Sequence, residues 1–440
     1  MTSRTITLRL APIALLAAVA STGFTAKVVG VSQPAPSLTQ ARIDQLPKAQ
    51  RAAWTAYLQR STAQEQADRA ALAAQRKGLA EIPPRPAERG YPNSMPLDRA
   101  PSWYGTPEAR HVADVIVSFQ TPGGGWSKNM SMAGEPRKRG QDYAPDNVSR
   151  YLGPDDFDTP GDREWNYIST LDNNATTTEM RFLARVATET PGAAGEPYRA
   201  SFIRGMHYLL NAQYPNGGWP QVWPLEGGYH DAITYNDNAV TLAATVLTDA
   251  ASGTGDYAFV PADLRKQARA AAAHALDCIL ATQIVINGKR TAWAQQHDPL
   301  TLAPVSGRNF EPAAISSGES ADLLVYLMSL ERPSPAVQAA INAGIAWLKS
   351  TAIYGQQWTG TRAEGRHLVA TPGAGPIWAR YYSITTGQPI FGDRDKTIHD
   401  NVSELSLERR NGYQWYSSGP QHALDVYATW IRKGLPPPEH

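Results

Sequence analysis

The sequence predicts an all-α protein built from repeated helical hairpins, an (α/α) toroid if the array closes on itself, with an N-terminal helical extension. Three observations predict it. Apolar residues recur at helical spacing, as in Met180, Leu183, Ala184 and Ala187, while little of the chain alternates with period two. A loop pattern, glutamine followed after three residues by Gly-Gly-Trp, occurs in "SFQTPGGGWSKN" and again in "NAQYPNGGWPQVWP", each after a helical stretch, with a looser copy in "ATQIVINGKRTAWAQQHDP". After each copy a polar segment opens another helix: Asp172-Asn173, Asp237-Asn238, then Gly318-Glu319-Ser320. Helix, Gly-Trp loop and polar helix start therefore form a repeating unit, and such units bury a continuous core only by packing on their neighbours.

Taken in order, the chain opens with "MTSRTITLRLAPIALLAAVASTGFTA", in which two arginines precede an apolar run and small residues. Residues 1–26 read as a cleavable secretory signal and are too short for a spanning helix. Export, to the medium or the periplasm, is the expectation. Cys278 is the only cysteine, so no internal disulfide and no multi-cysteine metal site can form. Residues 27–95 read as a linker followed by the extension. Within them, residues 42–80 are rich in Ala, Gln, Arg and Glu, with Trp54, Tyr57 and Leu58 as a sparse apolar face. That pattern suits one long helix or a helix pair, packed on the body or held as an arm. Residues 96–440 form the main domain. The formal net charge is +1, so no overall field steers the chain to nucleic acid or an anionic membrane. Any anionic partner must be met by charges gathered locally. Nothing calls for an oligomer, and a monomer is expected.

The stretch "TLDNNATTTEM" has a capping-box spacing, Thr176 with Glu179, and an Asp or Asn in front suits an N-cap. Capping accounts for one residue and leaves a surplus of oxygen-bearing side chains. Asp172 to Thr176 and Asp237 to Thr241 share the pattern D-N-x-x-T. With the hairpins side by side, Asp172, Asn173 and Asp237 would converge, a hard-oxygen set that suits Ca²⁺. A purely capping role for both motifs stays open on spacing alone. Four basic residues, Lys128, Arg308, Arg380 and Arg394, lie in Gly-, Pro- and aromatic-rich loops. Arginine forks hold carboxylates in fixed orientation, which points to a carboxylate-bearing substrate.

Together "WAQQHDPLTLAPVSGRNFEPAAISSGES", "TLDNNATTTEMRFLARV", "GGWPQVWP…YNDNAV" and "WARYYSITTGQPIFGDRD" resemble the family 10 polysaccharide lyases, pectate lyases with an (α/α) toroid. The resemblance spans about Trp54 to Trp430. It implies cleavage of polygalacturonate by calcium-dependent β-elimination, giving 4,5-unsaturated oligogalacturonides. By the same resemblance Arg308, in G-R-x-[YF]-E, is the catalytic base. Asp172, Asn173 and Asp237 fall at the calcium site, and Lys128, Arg181, Asn238, Arg380 and Arg394 contact substrate. Ala294 and Phe310 depart from the family pattern without removing a charge or a ligand. An arginine base requires a depressed pKa, expected here from neighbouring cations and a desolvated pocket, and hence an alkaline optimum. Two rival readings use the same scaffold: a glycoside hydrolase with Asp172 and Asp237 as acid and base, and a noncatalytic uronate-binding protein. His297 and Asp298 read as braces for the loop that carries Arg308.

Overall fold

A computed structural model describes residues 27–87, 95–132 and 134–432. The predicted signal segment, residues 1–26, lies outside the described residues. Helices dominate, and they follow one another as hairpins. The N-terminal pair is α1 (Gln40–Ile43) and α2 (Lys48–Arg76). The body contains α3 (Pro107–Phe119), α4 (Thr177–Glu189), α5 (Glu196–Ala212), α6 (Ala239–Ser252) and α7 (Ala262–Thr282). It ends with α8 (Ser317–Ser329), α9 (Pro335–Thr351), α10 (Leu407–Gly412) and α11 (Gln421–Arg432). Helices α3, α5, α7 and α9 touch in succession as one layer, α4, α6 and α8 pack on them as a second, and α11 rests on α8 and α9. The predicted helical class is what the chain adopts.

Local chemistry sets several of the boundaries. The Thr106 and Ser334 hydroxyls accept backbone N–H groups of α3 and α9, each helix beginning with proline, whose missing N–H costs nothing there. The repeated glutamine and tryptophan hold the hairpins together. Gln120 ends α3 and its amide donates to the carbonyls of Gly124 (2.8 Å) and of Ser201 in α5 (2.9 Å). Gln213 does the same toward Gly217 and Ala271 of α7, both at 2.9 Å. Gln283 reaches Thr291 (3.1 Å) and Ala340 of α9 (3.0 Å). Each buried indole then donates back to the preceding helix: Trp126 to Ile116, Trp219 to Leu209 and Trp293 to Ile279, at 2.7 to 2.8 Å. A fourth, Trp378, bonds Leu348 at 2.8 Å. Glycine is required in the first two loops. A Cβ on Gly124 (φ 99°) would stand 2.4 Å from the Arg204 carbonyl, and one on Gly217 (φ 91°) would stand 2.0 Å from that of His274.

Two local expectations change. The chain holds short strands of two to four residues, too brief to pattern a sequence. Five of them make an antiparallel sheet in which Val28–Val31 pairs with Thr397–His399, beside Pro389–Gly392, Tyr381–Tyr382 and Ile315–Ser316. The segment with linker composition is thus tied to the body. Ser32 and Ala35 are buried, and the Leu38 N–H donates to Asp231 at 2.8 Å. Helix α2, about 43 Å long at 1.5 Å per residue, also packs down. Trp54 and Tyr57 meet Tyr214 with ring centroids 5.3 and 4.7 Å apart, and the Tyr57 hydroxyl donates to the Ala212 carbonyl.

The second change concerns the D-N helix starts. The Thr176 hydroxyl does not cap α4; it is buried, donates to the Thr170 carbonyl (2.8 Å) and accepts the Trp126 N–H (3.1 Å). The register of the repeat also moves by one residue. Asn173 and Asn174 have φ of 53° and 62°, and Asp237 and Asn238 have 51° and 60°. The Asn174 and Asn238 carbonyls each accept the hydroxyl three residues on, Thr177 or Thr241, at 3.0 Å. Asp237 is therefore the counterpart of Asn173, and Asp172 of Asn236. D-N-x-x-T matched letters one position out of step because Asn and Asp both tolerate the left-handed region.

Candidate active site

The starts of α4 and α6 lie side by side, with the 172–174 turn against the 236–238 turn and α8 against the latter. They open on a polar cavity of about 140 Å³. Asp172, Asn173, Asn236 and Asp237 of the two turns line it, together with Lys128, Asp158, Gln221, Tyr229, Arg308 and Glu311. Asp172 is 6% exposed and accepts from the Lys128 ammonium through Oδ2 and from the Gln221 amide through Oδ1 (2.8 Å). The Lys128 ammonium also lies 3.4 Å from the Tyr167 ring centroid. The Asn173 backbone N–H donates to Asp237 Oδ2 at 3.4 Å, and its side-chain amide donates to Asn129 at 3.0 Å.

The two carboxylates titrate against each other. Burial pulls Asp172 up, but Lys128 and a hydrogen bond from the neighbouring Asp237 outweigh it and hold Asp172 well below the usual range. Asp237 is pushed well up by burial and then by the charge of Asp172. A second negative charge is costly here until a cation arrives. Two carboxylates and the Asn173 amide are hard oxygen donors, so the set fits calcium. Among the described residues no three His, Cys, Asp or Glu side chains gather as a metal cage. Asn173, water and a substrate carboxylate would have to complete the shell.

The basic residues divide. Arg308 is 39% exposed, open enough to meet a substrate, and its Nη2 donates to Glu311 at 2.6 Å. Among the described residues no protein acceptor meets its Nε or Nη1 within hydrogen-bond distance. The expected depression of its pKa is not what surrounds it. Burial lowers the pKa, but the adjoining Glu311 carboxylate wins and raises it well above the ordinary value. Glu311, held down to about 2 by Arg308 against the pull of burial, also accepts the Arg308 N–H (2.9 Å) and the Tyr413 hydroxyl (2.7 Å). It stood in the motif, yet spacing could not assign it this role. Arg380 donates to Glu319 at 2.7 Å and reaches Asn236 and Gln295 of the cavity wall at 3.4 Å. Arg394 is paired with Glu408 (2.8 Å) and shares the Phe310 ring with Arg308, at 5.3 and 4.9 Å.

Arg181 and Asn238 are not brought to the cavity. Arg181 points along the α4–α6 interface toward Asp249 and Tyr257, because its position on α4 turns it from the loop end. Asn238 lies beside Asp322 of α8, whose carboxyl its amide favours in the charged form, at the end of the left-handed turn. His297 is neutral, its pKa lowered to about 4 by burial; it contacts the Leu302 carbonyl (2.9 Å) and accepts the Ala294 N–H (3.2 Å). Asp298 is clamped by Arg42 at 2.5 Å. Asp158, Gln221, Tyr229 and Glu311 are site residues that sequence reasoning passed over. Polar residues in loops carry no periodicity to mark them.

The structure is similar to that of a family 10 polysaccharide lyase from Cellvibrio cellulosa, with TM-score 0.63 and 29% identity over 78% of this chain and 99% of that one. A mutant of that lyase in complex with trigalacturonic acid is similar too, with TM-score 0.63 and 28% identity over 77% of this chain and 95% of that one. No curated relative matches the chain. The pectic acid lyase family profile matches residues 120–424, which hold both turns, Arg308, Arg380 and Arg394. Over that length, and with that structural likeness, the chain belongs to the pectic acid lyase family and is a lyase of the pectate-cleaving kind.

Proposed function

We propose that the chain is exported and cleaves polygalacturonate by calcium-dependent β-elimination, with Arg308 as base and 4,5-unsaturated oligogalacturonides as products. One observation carries the reading: paired carboxylates on two adjoining turns and Arg308 line a single small cavity. The trigalacturonic acid held by the similar lyase supports an oligogalacturonate as the occupant. Asp172 and Asp237, with Asn173, would hold the ion. When bound, calcium neutralises the substrate carboxylate and so acidifies the carbon beside it. Lys128, freed from Asp172, and Arg380 would hold uronate carboxylates and fix the ring. Arg308 would then take the C5 proton; the C5–H electrons form the C4–C5 double bond as the C4–O bond breaks, and the leaving oxygen is protonated by solvent. Because Glu311 favours the charged guanidinium, neutral arginine is scarce and an alkaline optimum follows.

A hydrolase reading fits less well. Glycoside hydrolases separate their two carboxyls by about 5 to 9.5 Å, whereas Asp172 and Asp237 are within hydrogen-bond reach of each other. No helix among the described residues is long and apolar enough to cross a membrane. The test is the ultraviolet absorbance of the unsaturated product when the mature chain meets polygalacturonate. Absorbance should rise with calcium and stop with EDTA, and Arg308→Ala should lower the rate by about 10³-fold. New reducing ends without absorbance would return the hydrolase; binding with neither signal would leave a uronate-capturing protein.

A further inference from the structure

A second cavity, of about 340 Å³, lies between α2 and the body, within the size range of small-ligand sites. Glu65 and Arg69 of α2 line it, together with Phe157, Asp162, Trp165 and Glu226 of the body. It adjoins the reaction cleft. Phe157 and His230 line it, while their chain neighbours Asp158 and Tyr229 line the cleft. His230 is joined to Tyr167 of the cleft wall at 2.8 Å. Glu65 and Arg69 precede residue 120, where the family match begins, so this part of the lining is supplied by the extension.

The chemistry of this cavity is opposite to that of the cleft. Its cation, Arg69, is already engaged by Glu65 (2.9 Å) and Asp162 (2.8 Å) and lies over the Trp165 ring at 4.6 Å. A uronate carboxylate entering here would meet the carboxylates of Glu65 and Asp162 with no unpaired cation among the lining residues. Sugar hydroxyls, by contrast, can donate to those carboxylates, and Phe157 and Leu225 supply apolar surface for a sugar ring. Glu226 reinforces this. Burial lifts its pKa to about 8, so it offers a neutral carboxylic acid at neutral pH, able to donate as well as accept.

We propose that the helical extension builds a second glycan subsite beside the reaction cleft, selective for an uncharged sugar unit such as a methyl-esterified uronate over a free uronate. The subsite rests on the lyase reading, since it takes the part of a pectin chain that continues past the cleft. Its consequence is a preference for partly methyl-esterified chains among those that still offer a free uronate to the cleft.

The test uses Gly161→Trp. Gly161 lines the cavity, and a Cβ placed there meets nothing within 4 Å, so a large side chain can fill the space without backbone strain. The kcat/KM ratio for partly methyl-esterified pectin over polygalacturonate is measured in the full mature chain. It should fall about fivefold or more in Gly161→Trp, as expected for the loss of one sugar contact. Asp162→Lys, which offers a free uronate a cation, should lower the ratio as well. An unchanged ratio in both variants overturns the proposal. If the wild type shows no lyase activity, the lyase reading fails separately and calorimetry decides the subsite. Methyl-esterified trigalacturonate should then bind the wild type and not Gly161→Trp, while equal binding, or none to either, overturns it.

Discussion

The two turns at the starts of α4 and α6 share a backbone as far as their left-handed pairs and differ in charge. Leu171 and Tyr235 lead into them with nearly the same angles, φ/ψ of −100/−3° and −94/−15°, and two left-handed residues follow in each. In the first turn the carboxylate stands at the first position, as Asp172; in the second it stands one residue later, as Asp237. Asp172 is braced by Lys128 and Gln221 and kept ionised. Among the described residues no cation pairs with Asp237 in this way, and burial and Asp172 hold it toward its protonated form. Repetition supplies the frame, and the one-residue offset brings two unlike carboxylates to a single point. An exact repeat would have aligned them.

Breaking the braced turn should do the most damage. Asp172→Asn removes the ionised carboxylate and releases Lys128, and pectate lyase rates at saturating substrate should fall about 10³-fold. Asp237→Asn should cost about 10²-fold, most of it recovered by raising calcium, because the group it removes is mainly a ligand. Gln221→Leu sharpens the contrast, since Gln221 bonds Asp172. About a tenfold loss in calcium affinity is expected, measured by calorimetry. If Gln221→Leu proved neutral, the braced character of Asp172 would owe nothing to Gln221.

In the same cavity, Glu311→Gln asks whether Arg308 titrates in the working range. Glu311 raises the Arg308 pKa, so its loss should lower that pKa and move the alkaline rise of kcat/KM to lower pH. An unmoved profile would take the proton transfer away from Arg308. The last effect lies outside both turns and leaves the site untouched. His297 has a folded pKa of about 4 against 6.5. The unfolded chain therefore binds the extra proton between those values, and stability is lost as pH falls through that window. His297→Gln should flatten this dependence, by up to about 3 kcal/mol between pH 7 and pH 4 in denaturation experiments, while calcium affinity stays as in the wild type.

How much of this was legible follows from distance along the chain. The Gln and Gly-Gly-Trp pattern could be read because each unit repeats one set of contacts: the glutamine amide bonds its own loop and the next helix, and the indole bonds the helix before it. The fourth indole, Trp378, makes the same kind of bond. It escaped notice because the hairpin of Gln356–Thr359 and His367–Ala370 intervenes between it and α9. The convergence of Asp172, Asn173 and Asp237 was legible, but their register was not, since Asn and Asp are interchangeable to a left-handed backbone. Arg181 could not be told from a cleft residue, because helical spacing does not say which way an arginine leaves an interface. Glu311 and Gln221 matter through their partners, and a partner is invisible until the chain is folded.

The central claim is that the two turns build one calcium site. Calorimetric titration of calcium into the metal-free mature chain tests it most directly, with Asp172→Asn and Asp237→Asn alongside. One ion per wild-type chain is expected at this site, with affinity reduced in both variants and more so in Asp172→Asn. Undiminished binding in both variants would contradict it, and the two turns would then be connections between helices and nothing more.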